Sequence, residues 1–282
     1  MSSYKNIVVG IDIYEPFDDF LNEAQKFAKL QSAKLHCVYV MPALTSTVPY
    51  AYEFQQTVET EALAALAKIK LNFACETLLL KGSASTQLCD YAQTINADLI
   101  VCGSHGKHGF DLLLGSTANG ILHNAQSDVL TIRLDKDSRC MTHSEYRNIV
   151  LASDLKSSSK NSALKARDLA QLYRAKLHIV HAITYISATA GAYYPEIEAD
   201  LKKEAELAMQ KLALELDVDT AYTNIYLDVP KHAILDKAKQ LNAELIVIGS
   251  KGKSALTSAL LGSTANAVLH YSKCNVLVVR VQ

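Results

Sequence analysis

The chain of 282 residues is long enough for one large domain or two ordinary ones. Hydrophobic residues make up 49% and charged residues 20%, a globular composition, and 28 Lys+Arg against 29 Asp+Glu leave a net charge of −1. That balance gives no electrostatic footprint for nucleic acid or an anionic membrane surface, so neither is an expected partner.

No apolar run approaches ~18 residues, so no membrane span is expected. The opening segment has one Lys and then an apolar strand, without the long apolar core and cleavage site of a signal peptide, so a cytoplasmic location is expected. The six cysteines (Cys37, Cys75, Cys89, Cys102, Cys140 and Cys274) include no C-x-x-C pair and read as buried reduced thiols.

In chain order, short β-branched runs alternate with longer amphipathic stretches. Strands are predicted at 6–11, 35–41, 74–80, 98–103 and 128–133, with helices at 17–30, 57–72 and 85–94 between them. After a charged, aperiodic join around 134–147 the pattern starts again. It places strands at 148–152, 177–183, 221–227, 244–249 and 275–280, and helices at 160–173, 197–216 and 231–241. Segments 42–52 and 185–195 are polar and Tyr-rich and read as long loops. The strands are nearly all apolar rather than alternating, as expected for strands covered on both faces. Strand–helix alternation of this kind gives right-handed βαβ units and an α/β fold of two tandem, doubly wound, mostly parallel five-stranded sheets.

The second set repeats the first. Ala33-Lys34-Leu35-His36 recurs as Ala175-Lys176-Leu177-His178, an offset of 142; Asn96 recurs at Asn242, an offset of 146, and Gly115 at Gly262, an offset of 147. A unit this long is a domain and not a solenoid repeat. The expected domains are 1–137 and 146–282, with a linker at about 138–145.

The longest repeated phrase is a glycine loop after the fourth strand. It reads Gly103-Ser104-His105-Gly106-Lys107 and then Gly115-Ser116-Thr117; the second copy reads Gly249-Ser250-Lys251-Gly252-Lys253 and then Gly262-Ser263-Thr264. Glycine lets the backbone approach a ligand closely, and the free N–H groups and dipole of a helix start favour an anion such as phosphate. The same Gly-Ser-Thr also fits a plain N-cap. In an open α/β sheet the ligand crevice lies beyond the carboxyl ends of the strands, at the switch in strand order. An Asp follows the first strand of each half, Asp12 and Asp154, suited either to a base or ribose or to capping the next helix. Neither loop is a Walker motif or a dinucleotide fingerprint.

These residues resemble the universal stress protein family in its tandem two-domain form. The family's nucleotide-binding branch carries G-x2-G-x9-G-[ST] after the fourth strand and an Asp after the first. Gly249, Gly252, Gly262, Ser263 and Asp154 match throughout. Gly103, Gly106, Gly115, Ser116 and Asp12 match apart from spacing, since eight residues and not nine separate Gly106 from Gly115. The resemblance therefore implies ATP, with Mg2+ or Mn2+ carried on its phosphates, more firmly in the second half. Adenine is expected near Asp154 and the backbone at Ala182, or near Asp12 and Val40. The phosphates are expected along the glycines with Lys253, Ser263 and Thr264, or with Ser116 and Thr117. Lys107 and Lys253 either offset phosphate charge or simply stand in solvent.

The resemblance further implies that the terminal strands, 129–133 and 276–280, pair across the halves, making the chain a pseudo-dimer, with further homodimerisation open. His105 and His108 have no histidine counterparts in the second half, so no protein-built metal site is expected. No G-x-S-x-G and no general base repeated beside both loops can be read, so ATP hydrolysis is expected to be slow at most. The expected function is a nucleotide-dependent regulatory or binding protein of the stress response, with a protein partner still to be identified. The alternative is a nucleotide-free scaffold acting by protein contacts or binding another small molecule. A related hydrolase or ligase would need S-G-G-x-D-S after the first strand, where Gly10-Ile11-Asp12-Ile13-Tyr14-Glu15 stands.

Overall fold

The computed structural model describes residues 4–15, 17–43, 51–72, 74–104, 114–133, 145–184, 195–250 and 261–280. The chain divides into two compact units, which meet in sequence between Ser144 and Glu145.

The first unit contains β1 (Asn6–Ile11), α1 (Asp18–Leu30), β2 (Lys34–Met41), α2 (Ala51–Asn72), β3 (Glu76–Lys81), α3 (Ala84–Thr94), β4 (Leu99–Gly103), α4 (Ser116–Asn124) and β5 (Asp128–Ile132). Its strands lie in the order β3-β2-β1-β4-β5, every neighbouring pair parallel. The second unit repeats this with β6 (Asn148–Ala152), α5 (Lys160–Tyr173), β7 (Lys176–Ile183), α6 (Pro195–Leu216), β8 (Thr223–Leu227), α7 (Pro230–Gln240), β9 (Leu245–Gly249), α8 (Ser263–Tyr271) and β10 (Asn275–Val279). Its order is β8-β7-β6-β9-β10, again all parallel. Each half is thus the α/β, doubly wound sheet expected from the alternation.

The apolar runs fill the sheet interiors. Ile7, Val8 and Val9 of β1, Leu99 to Val101 of β4 and, at the matching place in the second unit, Leu245 to Val247 of β9 are fully buried. Each such side chain contributes about 1.5–3 kcal/mol of burial. Helix α1 covers the sheet through Phe20, Leu21, Ala24, Phe27 and Ala28, the spacing of one helical face.

The repeated Asn-Ala-acid tripeptide is a structural joint. Asn96 and Asn242 take the left-handed conformation, φ 49° and 47°, that ends α3 and α7. The next amide, of Ala97 or Ala243, donates back to the carbonyl of Ala92 or Ala238 at 2.7 and 2.9 Å. The acid that follows holds the first strand: Asp98 Oδ2 accepts the N–H groups of Lys5 and Asn6, and Glu244 Oε2 those of Arg147 and Asn148.

Several element starts differ from expectation by two residues or more, β3 and α6 among them, and two have a clear local cause. Helix α2 begins at Ala51 and not near 57, because its first turns carry exposed side chains such as Phe54 and so lack an apolar period. Strand β8 begins at Thr223, because Thr220–Tyr222 form a 3-10 turn whose Asp219 accepts the Ala221 N–H at 2.9 Å. Among the described residues no helix is long and apolar enough to cross a membrane.

Candidate functional site

The strand order reverses between β1 and β4, and between β6 and β9, so each unit has a switch point at the carboxyl ends of that pair. In the second unit Ala152 pairs with Ile248, and the same register carries Ser153 and Asp154 alongside Gly249, the last residue of β9. Ala182 stands near the end of β7, paired with Tyr226. In the first unit Ile11 pairs with Tyr39, so Asp12 leaves β1 beside Val40, which is still in β2 and paired with Leu80, and Gly103 closes β4.

The glycine loops have identical bases. Ser104 N donates to the Ile132 carbonyl at 2.9 Å, and Gly115 N to the Ser104 carbonyl at 3.1 Å; Ser250 N donates to Val279 at 2.8 Å, and Gly262 N to Ser250 at 2.8 Å. Loop entry and exit are thus pinned to each other and to the neighbouring strand, with Ser104 and Ser250 buried. The clamp is the same in both units although Gly262 follows Ser250 by one residue more than Gly115 follows Ser104. Gly106, Lys107, Gly252 and Lys253, with His105 and His108, lie outside the described residues.

Gly115 and Gly262 are themselves the N-caps of α4 and α8, with extended ψ of 150° and 148° and no side-chain capping bond. Ser116 and Ser263 are the first helical residues and not caps. The opening amides therefore keep their orphan character beside the exposed Ser116, Thr117 and Ser263 and the half-buried Thr264. This arrangement suits a phosphate oxygen.

Asp12 and Asp154 do not cap the following α-helices. Asp12 Oδ1 accepts the Tyr14 N–H at 3.0 Å, and Asp154 Oδ1 the Lys156 N–H at 3.0 Å, so each makes an Asx turn as the chain leaves its strand. Ser158 Oγ adds a longer bond to Asp154 Oδ2 at 3.4 Å. Beside Asp154, Leu155 takes φ 58°, a conformation that branched side chains resist and that is held here by its N–H donating to Ser153 Oγ at 3.1 Å.

The two mouths differ in residues that the sequence reading missed. In the second unit His181 Nδ1 lies 2.9 Å from the Ser153 carbonyl; the carbonyl only accepts, so Nδ1 carries the hydrogen. In the first unit the matching position is Tyr39, whose ring meets that of Tyr14 edge-on at 6.4 Å. Burial, together with Tyr14 and Asp12, pushes the Tyr39 hydroxyl up to about 12. Period-two patterning marks these positions as strand residues and carries no signal of their role.

Two stretches, residues 3–133 and 145–280, each match the sequence model of the universal stress protein family. The chain belongs to the universal stress protein family. It is 34% identical over 142 residues to Universal stress protein A homolog 2 of Coxiella burnetii (strain RSA 493 / Nine Mile phase I), covering 49% of this chain and 97% of that protein. A universal stress protein from Archaeoglobus fulgidus DSM 4304 shares the fold over 98% of both chains, with a TM-score of 0.70 at 21% identity. A universal stress protein solved in complex with cAMP matches 48% of this chain at a TM-score of 0.38 and 22% identity. The tandem two-domain form expected of this family member is thus present. Among the described residues no group of three His, Cys, Asp or Glu side chains is placed to hold a metal ion.

Proposed function

We propose that this universal stress protein binds ATP in the crevice of its second unit and acts in the cytoplasm as a nucleotide-dependent regulatory protein. The observation that carries the reading is the start of α8. Gly262 is an uncapped N-cap, pinned to Ser250, with Ser263 and Thr264 at the first turn. Uncapped amides and the positive helix end supply what a phosphate needs without a cationic side chain. Asp154 stands at the switch point, where its carboxylate can accept from a ribose or an adenine amine, and the backbone at Ala182 flanks it. Gly249, Gly252 and Lys253 complete the motif. A divalent ion, Mg2+ or Mn2+, arrives with the phosphates. The first crevice offers Asp12, Val40, Gly103, Gly106, Gly115, Ser116 and Thr117 for the same ligand.

Nucleotide changes the protein's partners only if it binds two conformations unequally. Titration calorimetry with Mg-ATP on the intact chain tests the first step. Saturable binding that disappears in a Gly252→Val/Gly262→Val variant of unchanged far-ultraviolet spectrum supports the site. Binding that survives in that variant, or no binding to the wild type, removes it.

A further inference from the structure

Cys37 and Cys75 are 38 residues apart in sequence, yet their thiols lie close enough to shift each other's ionisation. Cys37 is fully buried in β2, and Cys75 is half-exposed immediately before β3. The register explains the meeting. Cys37 pairs with Thr77, and Cys75 stands two residues before that partner, just ahead of β3. Both are reduced in this structure. The pair lies toward the amino ends of the strands, opposite the crevice, so the nucleotide reading does not use it.

The two thiols are unequal. The Cys37 thiol, with Lys70 of α2 nearby, holds the Cys75 thiol below its ordinary range, whereas the nearby Cys75 and burial push Cys37 upward. Cys75 is therefore the more acidic and the more accessible of the two thiols, and Cys37 the enclosed one. A half-exposed thiol whose charged form a lysine favours is the kind of cysteine that reacts, and a fully buried thiol beside it is placed to resolve the product. In the second unit the same positions hold Ile179, which pairs with Thr223, and Ala221. The arrangement was not duplicated with the fold.

We infer that Cys75 and Cys37 form a hydroperoxide-reactive pair that closes to an intramolecular disulfide. The Cys75 thiolate attacks the nearer oxygen of a hydroperoxide. An S–O bond forms, the O–O bond breaks, and the alkoxide or hydroxide that leaves takes a proton from water. Cys75 is oxidised to the sulfenic acid and the peroxide is reduced to an alcohol or water. Cys37 sulfur then attacks the Cys75 sulfur, and its own proton leaves with the sulfenic oxygen as water. The two electrons withdrawn from the thiols have passed to the peroxide, and a dithiol that is itself oxidised supplies two more to reduce the S–S bond by exchange.

The test is hydrogen peroxide added to the reduced, intact chain, followed by thiol blocking and peptide mapping without reductant. The wild type should yield one peptide joining the segments of Cys37 and Cys75, lighter by two hydrogens, with the other cysteines blocked. With dimedone present, Cys37→Ser and Cys37→Ala should accumulate the adduct at Cys75, and Cys75→Ser should give neither product. A first adduct at Cys89 or Cys140, a link between two chains, or a wild type whose Cys75 stays blocked after peroxide would overturn the inference. The mapping needs no variant to fold, and ATP titration of the same samples reads the crevice independently.

Discussion

Asp98 Oδ2 accepts the Asn6 backbone N–H at 2.9 Å, and that of Lys5 at 2.7 Å, so one carboxylate fixes the first residue of β1 against β4. The Asp98 N–H answers by donating to the Asn6 carbonyl at 2.9 Å. Removing the carboxylate leaves two amides at a strand start without their acceptor. Asp98→Ala is expected to lose about 1–3 kcal/mol, with Asp98→Asn intermediate because one acceptor oxygen remains. Urea unfolding reads the loss, and amide exchange at Asn6 should accelerate in Asp98→Ala. Unchanged exchange at Asn6 would show that the ladder alone sets the register.

His36 and His178 occupy the same place in the two units, fully within the sheet. Burial lowers the pKa of both; at His36 the neighbouring Glu76 opposes this and Lys34 adds to it, while at His178 both Lys237 and Lys176 add to it. The folded protein thus favours the neutral rings. As pH falls through about 6.5 the unfolded chain takes up protons that the folded chain refuses, so stability falls with acidification in that window. Urea midpoints compared at about pH 7.5 and about pH 5.5 should show the loss above the carboxylate range. In an NMR titration His178 should protonate at lower pH than His36, because among the described residues two lysines and no carboxylate act on it. The reverse order would refute this charge reading.

Gly120 is the close-approach point of α4 on α3. A Cβ there would lie 2.6 Å from both Cβ and Oγ of Ser85, nearer than atoms can pack. Alanine favours a helix interior over glycine by about 1 kcal/mol, and overpacking costs about 1–3 kcal/mol. Gly120→Ala should therefore lower the melting temperature despite the gain in propensity. Adding Ser85→Gly should recover part of the loss and adding Ser85→Ala should not, because alanine keeps the Cβ. Equal recovery by both would place the strain elsewhere.

The fold was legible because duplication printed it twice. Apolar runs such as Leu99 to Cys102 leave little choice but a covered strand, and Asn96 and Asn242 mark the same helix ends. Helix α2 was cut short in the sequence reading because Phe54 projects to solvent and breaks the apolar period. The glycines marked the loop after β4 and β9, but the clamp between Ser104 and Gly115 is made by backbone atoms and leaves no mark on residue type. His181 and Tyr39 are ordinary strand residues until the switch point places them at the mouth. The meeting of Cys37 with Cys75 depends on the register of β2 against β3, which residue spacing does not encode.

Tyr4 Oη donates to Asp128 Oδ2 at 2.8 Å inside the first unit, and at the matching place in the second Asn275 Nδ2 donates to Tyr146 Oη at 3.2 Å. The duplicated fold therefore holds this buried contact with a carboxylate once and an amide once. Asp128→Asn is expected to cost under about 1 kcal/mol, since its amide oxygen still accepts from Tyr4, whereas Tyr4→Phe should cost about 1–3 kcal/mol by leaving the carboxylate short of a donor. Adding Asp128→Asn to Tyr4→Phe should then recover stability. Burial first, and Asp128 second, raise the Tyr4 hydroxyl well above its ordinary value. The unfolded chain loses this proton from about pH 10 and the folded chain keeps it, so stability falls as pH rises beyond that point. In Asp128→Asn the like-charge repulsion is gone, and a phenolate absorbance titration should find Tyr4 ionising at lower pH than in the wild type. An unchanged titration would show that burial alone holds the proton.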